Sequence, residues 1–171
     1  MDPEKRRNRI IEILEKSTEP QSASAIADML SFSRQVIVGD VALLRASGFD
    51  IEATPRGYVL DPSGLSQFPY VGTVACKHYH DRLKEELYAV VDLGGTVIDV
   101  TIDHALYGQL SGLLDISSRR DVDLFCEKVE KDGSQPLSIL TDGIHIHRIG
   151  CKDEETFKTI EKELKDSGIG F

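Results

Sequence analysis

Three segments with helical spacing of apolar side chains, followed by two short strand-like runs, occupy the first 60 residues. The spacing predicts helices over 3–16 and 34–46, and a short helix between them that begins after Ser22. The apolar side chains expected to face inward are Ile26, Met29 and Leu30 in the second helix and Ile37, Val41 and Leu44 in the third. Residues 51–54 and 58–60 flank the turn Pro55-Arg-Gly57, which predicts a β-hairpin.

Three helices followed by a hairpin is the order of a winged helix-turn-helix domain, a fold that commonly binds double-stranded DNA. With its apolar stripe inward, the third helix is expected to project Arg34, Gln35, Val36 and Val38 from its first turns. Arginine can pair with guanine and glutamine with adenine in the major groove. Arg56 at the hairpin tip is expected to contact a phosphate or the minor groove, and Arg6, Arg7 and Arg9 further phosphates. A protein-interaction module is the alternative interpretation.

The overall charge limits how such a domain can bind DNA. With 20 basic and 29 acidic side chains the net charge is −9, which excludes a globally basic surface but not a local basic patch. No apolar run is long enough to span a bilayer, and the N-terminus lacks the apolar stretch of a signal peptide. The three cysteines form no CxxC pair, which favours reduced thiols. We therefore expect a cytoplasmic protein without membrane contact.

A segment rich in proline, glycine and serine, Asp61–Pro69, divides the chain. It predicts a DNA-binding domain over 1–62, a linker over 63–70 and a second domain over 71–171. In the second domain we expect strands over 71–79, 96–103, 110–116 and 143–149, and helices over 81–92, 118–131 and 154–166. The resulting βαββαβα order favours a ferredoxin-like, split β-α-β sheet and an α+β protein overall.

All five histidines lie in the second domain. His145 and His147 are two residues apart on a predicted strand, so both imidazoles are expected on one face. The same alternation places His78 and His80 together with Cys76, and Glu86 follows in the next helix. Imidazoles with a carboxylate are typical ligands of a divalent transition metal.

Several neighbouring residues leave this hypothesis open. Cys76 is either a rival ligand or, as we favour, a small core residue. Asp99 and Asp103 are interpreted as surface residues rather than as groups that orient the ligands. His104, at the end of its strand, is not expected to share the face of His145 and His147.

Several motifs resemble those of the niacin-responsive transcription repressors of the NiaR type, which join a winged helix to a three-histidine (3H) domain. In the first domain these motifs are Ser33-Arg-Gln-Val-Ile-Val38 and Ala53-Thr-Pro-Arg-Gly-Tyr-Val-Leu60. In the second they are Lys77-His78, Glu85-Glu-Leu87, Val91-Asp-Leu-Gly-Gly95, Val100-Thr-Ile-Asp-His104, Tyr107-Gly108 and Leu140-Thr-Asp-Gly-Ile-His-Ile-His147. The resemblance covers nearly the whole chain in the same order.

The resemblance implies a metal site formed by His78, Glu86, His145 and His147. It also implies nicotinic acid as co-repressor, operators near genes of NAD synthesis or niacin uptake, and a homodimer. Two positions depart from the family pattern: Gly39 replaces a polar residue expected in the recognition helix, and His80 is additional to the ligand set.

A repressor gated by nicotinic acid is therefore the function we expect. Zn, Ni, Fe and Mn all suit the donors, and an open metal position suits a pyridine nitrogen. Candidate donors to the carboxylate of the ligand are Tyr107, Ser117, Ser118, Arg119 and Arg120. The alternatives are a regulator for which the metal itself is the signal and a metal-dependent hydrolase fused to a winged helix. A biotin-type ligase is excluded, because the chain is too short and lacks the glycine- and arginine-rich adenylate loop.

Overall fold

Three helices and a hairpin form the N-terminal unit in the computed structural model, which describes residues 1–60 and 68–171. Its elements are α1 (Pro3–Lys16), α2 (Ala23–Leu30), α3 (Arg34–Ala46), β1 (Ile51–Thr54) and β2 (Gly57–Leu60). The side chains of Asp2, Ser22 and Ser33 each accept a backbone N–H at the start of a helix. The predicted order of a winged helix-turn-helix is confirmed.

The core of this unit follows the predicted stripes except in α2. Ile10, Ile26 and Ile37 are fully buried, whereas Met29 is 59% exposed. The inward stripe of α2 consists of Ala23, Ile26 and Ala27, and Met29 lies beside it on the solvent side. The prediction of an inward Met29 was therefore wrong, because the buried face of α2 runs through Ala23, Ile26 and Ala27 and leaves Met29 outside it.

The C-terminal unit contains four strands and three long helices. They are β3 (Tyr70–Lys77), α4 (Leu83–Asp92), β4 (Thr96–His104), β5 (Gly108–Ile116), α5 (Arg119–Asp132), β6 (Ile144–Cys151) and α6 (Glu154–Asp166). Short 3₁₀ turns cover His80–Arg82 and Leu137–Thr141. The predicted βαββαβα order is confirmed. The boundary between the two units falls within residues 61–67, which lie outside the described residues. The predicted linker over 63–70 therefore lies mostly outside the described residues as well.

The four strands form one antiparallel sheet in the order β3-β6-β4-β5. Strands β3 and β4 run parallel on either side of β6, so β3-α4-β4 is a split β-α-β unit. The central strands are the second and fourth of this domain, whereas a ferredoxin-like sheet has the first and third at its centre. The order of segments along the chain allows both arrangements. They differ only in which strand lies between the two parallel strands of each split β-α-β unit, and here β6 lies between β3 and β4.

The helices pack on the sheet around one apolar core. Leu87 and Val90 of α4, Val122 of α5 and Ile160 of α6 are fully buried in it. None of the described helices is long and apolar enough to cross a membrane.

Two local features of the sheet differ from the predicted pattern. β3 ends at Lys77, two residues before the predicted end at Tyr79. In β4 a bulge between Val97 and Asp99 interrupts the alternation. Both differences change the surroundings of the predicted metal site.

Candidate metal centre and nucleic-acid interface

Glu86 in α4 is a fully buried carboxylate surrounded by three histidines. Its Oε2 lies 2.6 Å from Nε2 of His78, and its Oε1 lies 2.9 Å from Nε2 of His145 and 3.3 Å from Nε2 of His147. The structure thus brings together all four side chains of the predicted metal site. His78 enters from the segment after β3, and His145 and His147 share one face of β6, as their spacing predicted.

Each of these imidazoles is oriented by a backbone carbonyl. Nδ1 of His78 contacts the carbonyl oxygen of Tyr79 at 2.8 Å, and Nδ1 of His147 contacts that of Asp99 at 2.7 Å. Nδ1 of His145 contacts the carbonyl oxygen of Gly143 at 2.9 Å. A carbonyl oxygen only accepts hydrogen bonds, so each Nδ1 carries the hydrogen and donates it. The Nε2 atom of every ring therefore turns towards Glu86.

This arrangement requires positive charge among the Nε2 atoms. In a neutral imidazole with hydrogen on Nδ1, Nε2 is an acceptor, and a carboxylate oxygen is an acceptor as well. Only additional protons or a metal cation can satisfy both. Nε2 of His147 is buried and has no hydrogen-bond partner among the described residues. The donor set and this unpaired atom fit a divalent transition metal, since metal-bound histidines usually donate the other ring nitrogen to a carbonyl or carboxylate.

The pKa values of Glu86, His78 and His147 are shifted in the directions expected for a carboxylate surrounded by imidazoles. Burial pushes the pKa of Glu86 upwards, but attraction to His147 and close contacts with the ring nitrogens of the three histidines outweigh it and hold the pKa well below its usual range. Burial pushes the pKa values of His78 and His147 downwards, and the carboxylate of Glu86 raises both above their usual value. The raised pKa values of His78 and His147 favour their protonated forms, and these protons compete with a metal for the same nitrogen atoms.

The remaining predicted neighbours divide into two groups. His80 is exposed in the 3₁₀ turn, because β3 ends before it and the two-residue alternation with His78 no longer applies. The expectation of a shared His78–His80 face was wrong. Nδ1 of His104 accepts backbone N–H groups of the β4–β5 turn, and its ring stacks on Tyr107. Cys76 is fully buried in the core and also approaches Glu86 and His145.

Two residues that support the cluster were not recognised from the sequence. Asp99 was predicted to lie at the surface, but it is buried. The bulge in β4 turns its side chain towards Arg148, and Nε of Arg148 lies 2.7 Å from Oδ2 of Asp99. Gly143 adopts a φ of +86°, and a Cβ there would lie 2.6 Å from the carbonyl oxygen of His78. The Asp142-Gly143 pair before the two histidines was the available signal for this tight approach.

A cavity of about 230 Å³ opens beside the cluster. All four predicted metal ligands contribute to its wall. Apolar side chains of Phe125, Val129 and Leu137 line another part, and Ser134, Gln135 and Ser138 provide polar groups. The volume is smaller than the roughly 300–1,000 Å³ typical of drug-sized ligands and fits a small molecule.

None of the five residues predicted to hold a carboxylate lines this cavity. Arg119 pairs with Asp92 at 2.6 Å and lies over the ring of Tyr88. Ser118 caps α5, and Ser117 contacts Asp121. Tyr107 is exposed in the β4–β5 turn, and Arg120 is exposed on α5. Ser117 and Ser118 thus stabilise the start of α5, and Arg119 joins α5 to α4. The sequence pattern alone did not distinguish these structural roles from ligand binding.

The exposed surface of α3 carries the predicted DNA-reading residues only in part. Arg34 and Gln35 are exposed at its first turn, as expected. Val36 and Val38 are half-buried, and Val38 packs against the core, because it borders the stripe of Ile37 and Val41. The expected outward projection therefore holds for the two polar residues.

The arginines predicted to contact phosphates form ion pairs within the N-terminal unit. Arg6 forms an ion pair with the buried carboxylate of Asp40 in α3, where Nη2 lies 3.2 Å from Oδ1, and its guanidinium lies over the ring of Phe32. Arg7 lies 3.8 Å from Asp40, and Arg9 pairs with Glu12.

Arg56 at the hairpin tip is two-thirds buried and lies 3.2 Å from Glu19. Arg6 thus joins α1 to α3, whereas Arg56 remains near the tip where a phosphate contact was predicted.

Comparison with known proteins identifies both units. Residues 6–59 match the HTH domain family, and residues 71–171 match the 3H domain family. The chain is 46% identical over 162 residues to the probable transcription repressor NiaR of Thermotoga maritima, which covers 94% of this chain and 90% of that protein. It is 36% identical over 165 residues to the transcription repressor NadR of Bacillus subtilis, and this match covers 96% of this chain and 92% of that protein.

Proposed function

The chain belongs to the family of transcription repressors that join a helix-turn-helix domain to a 3H domain, and on this premise we propose that nicotinic acid controls its binding to operator DNA. Family membership makes it a regulator rather than an enzyme, so the hydrolase alternative is not retained. The operators proposed are those of genes for NAD synthesis and niacin uptake.

The convergence of three Nε2 atoms on Glu86 is the observation that supports the proposed effector site. His78, Glu86, His145 and His147 would hold a divalent transition metal, and the ion would supply an open position for a pyridine nitrogen. Zn, Ni, Fe and Mn are the proposed candidates. The unpaired Nε2 of His147 supports a cation at this place rather than a set of internal hydrogen bonds.

The adjoining cavity supports a small co-repressor with an aromatic ring and a carboxylate. Phe125 and Val129 offer apolar surface to the ring. The polar side chains of Ser134, Gln135 and Ser138 offer hydrogen-bond donors to the carboxylate in place of the five residues predicted from the sequence. Ser138 lies in the turn Leu137–Thr141, and Ser134 and Gln135 lie in the segment just before it.

Exposed Arg34 and Gln35 support major-groove reading by α3. A homodimer is proposed because helix-turn-helix repressors commonly bind two half-sites with two copies of the reading helix. Nicotinic acid controls this binding only if it prefers the DNA-competent state over the other state.

The proposal is tested with a DNA fragment from upstream of a gene for NAD synthesis or niacin uptake. Binding is measured at fixed salt with zinc constant while nicotinic acid is varied, and then with zinc varied alone. We expect affinity for DNA to rise with nicotinic acid. A response to zinc that nicotinic acid does not change would contradict the proposal and favour the metal itself as the signal.

Metal analysis of His145→Ala with His147→Ala tests the site itself. Removal of two of the three imidazoles is expected to abolish stoichiometric metal, while the N-terminal unit keeps its own separate core. His104→Ala is the matched control and should retain the metal, because His104 contacts the β4–β5 turn instead. Wild-type metal content in the double variant would refute the assignment.

A further inference from the structure

Cys76 lies directly beside the proposed metal centre. It is paired with His145 across β3 and β6, so both side chains project from the same face of the sheet. Sγ of Cys76, a carboxylate oxygen of Glu86 and a ring nitrogen of His145 all lie within 4.8 Å of one another, and all three residues are buried. The thiol of Cys76 therefore lies on the face of the sheet that carries the histidine cluster.

These separations are close to those of atoms bound to one ion. Zinc–sulfur and zinc–nitrogen bonds of roughly 2.3 and 2.0 Å keep two donors no more than about 4.3 Å apart. A linear arrangement sets this limit and the tetrahedral angle of zinc brings the donors closer, so the three side chains must move towards one another when the ion binds. The unpaired Nε2 of His147, which is nine-tenths buried and turned to the same carboxylate, independently indicates that a cation belongs here.

Charge balance gives a second reason for a sulfur ligand. Three neutral imidazoles and the carboxylate of Glu86 would leave a divalent ion with one uncompensated positive charge in a buried place, which is unfavourable. Asp99 is the other buried carboxylate among the described residues of this unit, and it is paired with Arg148. A thiolate at Cys76 would make the centre neutral.

We propose that Cys76 is a ligand of the same divalent ion as Glu86 and His145, an inference that rests on the proposed metal site. Binding of the ion displaces the thiol proton to solvent and forms a metal–sulfur bond. Because thiolate is a soft donor, the centre selects zinc over manganese, which prefers oxygen ligands. A site of nitrogen and oxygen donors alone would discriminate less between these two ions.

Cobalt(II) is the spectroscopic probe, since it substitutes for zinc and reports its ligands by absorption. The full chain is stripped of metal, kept reduced and titrated with Co²⁺. We expect visible ligand-field bands together with a near-ultraviolet thiolate-to-cobalt charge-transfer band. Cys76→Ala and the nearly isosteric Cys76→Ser should lose the charge-transfer band.

Cys151→Ala is the matched control, because Cys151 is a buried cysteine of the same core on β6. It should keep the charge-transfer band at wild-type intensity. Competition titrations of the same proteins should show that Cys76→Ala lowers the preference for Zn²⁺ over Mn²⁺ by at least about tenfold.

The outcomes separate this inference from the proposed function. Ligand-field bands without a thiolate band in the wild type would show a metal site that excludes Cys76, which overturns the inference alone. Failure of the wild type to bind Co²⁺ or Zn²⁺ would overturn both. A charge-transfer band that survives in Cys76→Ala and Cys76→Ser would assign the sulfur to another cysteine and also overturn the inference.

Discussion

Glu86 makes the stability of the metal-free C-terminal unit depend on pH in two directions. Its folded pKa lies well below the usual value of 4.5, so its stabilisation is present above pH 4.5 and is lost as pH falls through the folded value. The folded pKa values of His78 and His147 lie above the usual 6.5, so their stabilisation is complete below pH 6.5 and is lost as pH rises through them. Maximum stability is therefore expected between pH 4.5 and 6.5.

Zinc should reverse the upper part of this profile. The metal binds imidazoles that have lost the Nε2 proton, so its stabilisation grows as pH rises. Between pH 6.5 and 8 the unfolding temperature of the C-terminal unit should fall for chelated protein and rise for zinc-loaded protein. Thermal denaturation in matched buffers measures both, with Glu86→Gln as the control that lacks the metal-free maximum. Parallel profiles with and without zinc would contradict this prediction.

Single residues were the hardest features to predict from the sequence, although the cluster itself was expected. His145 and His147 lie within a strand, where alternation places both on one face. His78 and His80 both follow the end of β3 at Lys77, so strand alternation does not apply to them. Asp99 lies at a bulge, where the alternation of buried and exposed positions shifts by one residue. Strand ends and bulges are set by contacts with neighbouring strands, which a linear pattern does not contain.

Among the secondary-structure elements, α3 carries an unusual glycine on its exposed side. A Cβ at Gly39 would have no atom within 4 Å, and the helix continues through this position. Gly39→Ala should therefore stabilise the N-terminal unit by about 1 kcal/mol, because alanine loses less backbone entropy in a helix. Urea denaturation measures this change. Ala42→Gly, at another exposed position of α3, should destabilise the unit by a similar amount, and a loss of stability in Gly39→Ala would contradict the open space seen there.

The first turn of α3 should determine the sequence preference of DNA binding. Arg34→Ala and Gln35→Ala are each expected to weaken operator binding by about 1–3 kcal/mol and to relax preference at one base position. Arg56→Ala should weaken binding to all sequences about equally and reduce its dependence on salt. Competition between operator and unrelated DNA at one salt concentration measures both effects. Wild-type operator affinity in the Arg34 and Gln35 variants would exclude α3 as the reading helix.

The elements themselves were largely predictable, because helix caps and apolar spacing are local signals. Ser22 and Ser33, for example, each cap the helix that follows them in the sequence. The order of strands in the sheet was not predictable in the same way, since it depends on which strand fills each split β-α-β unit. The residues now proposed to hold a small ligand were also missed, because Ser134, Gln135 and Ser138 lie between α5 and β6, in a segment without a helical or strand-like periodic pattern.

For the whole molecule, the proposed function requires energetic coupling between the ligand centre in one unit and the DNA-binding surface of the other. Nicotinic acid should tighten operator binding by a factor typical of such coupling, about 5–150-fold. Glu86→Ala should abolish this effect, because it removes the buried carboxylate on which all three histidines converge while leaving α3 unchanged. Wild-type circular dichroism and unchanged binding to unrelated DNA are the controls for this variant.

Thermodynamic linkage makes the reciprocal effect obligatory. Operator DNA must tighten the binding of nicotinic acid by the same factor by which nicotinic acid tightens the binding of operator. Calorimetric titration of zinc-loaded protein with nicotinic acid, in the presence and absence of saturating operator, measures this factor directly. Equal affinities in the two titrations would mean that the sites are uncoupled, because a ligand that binds both states equally cannot shift their populations. The chain would then combine a DNA-binding domain with a metal centre that does not control it.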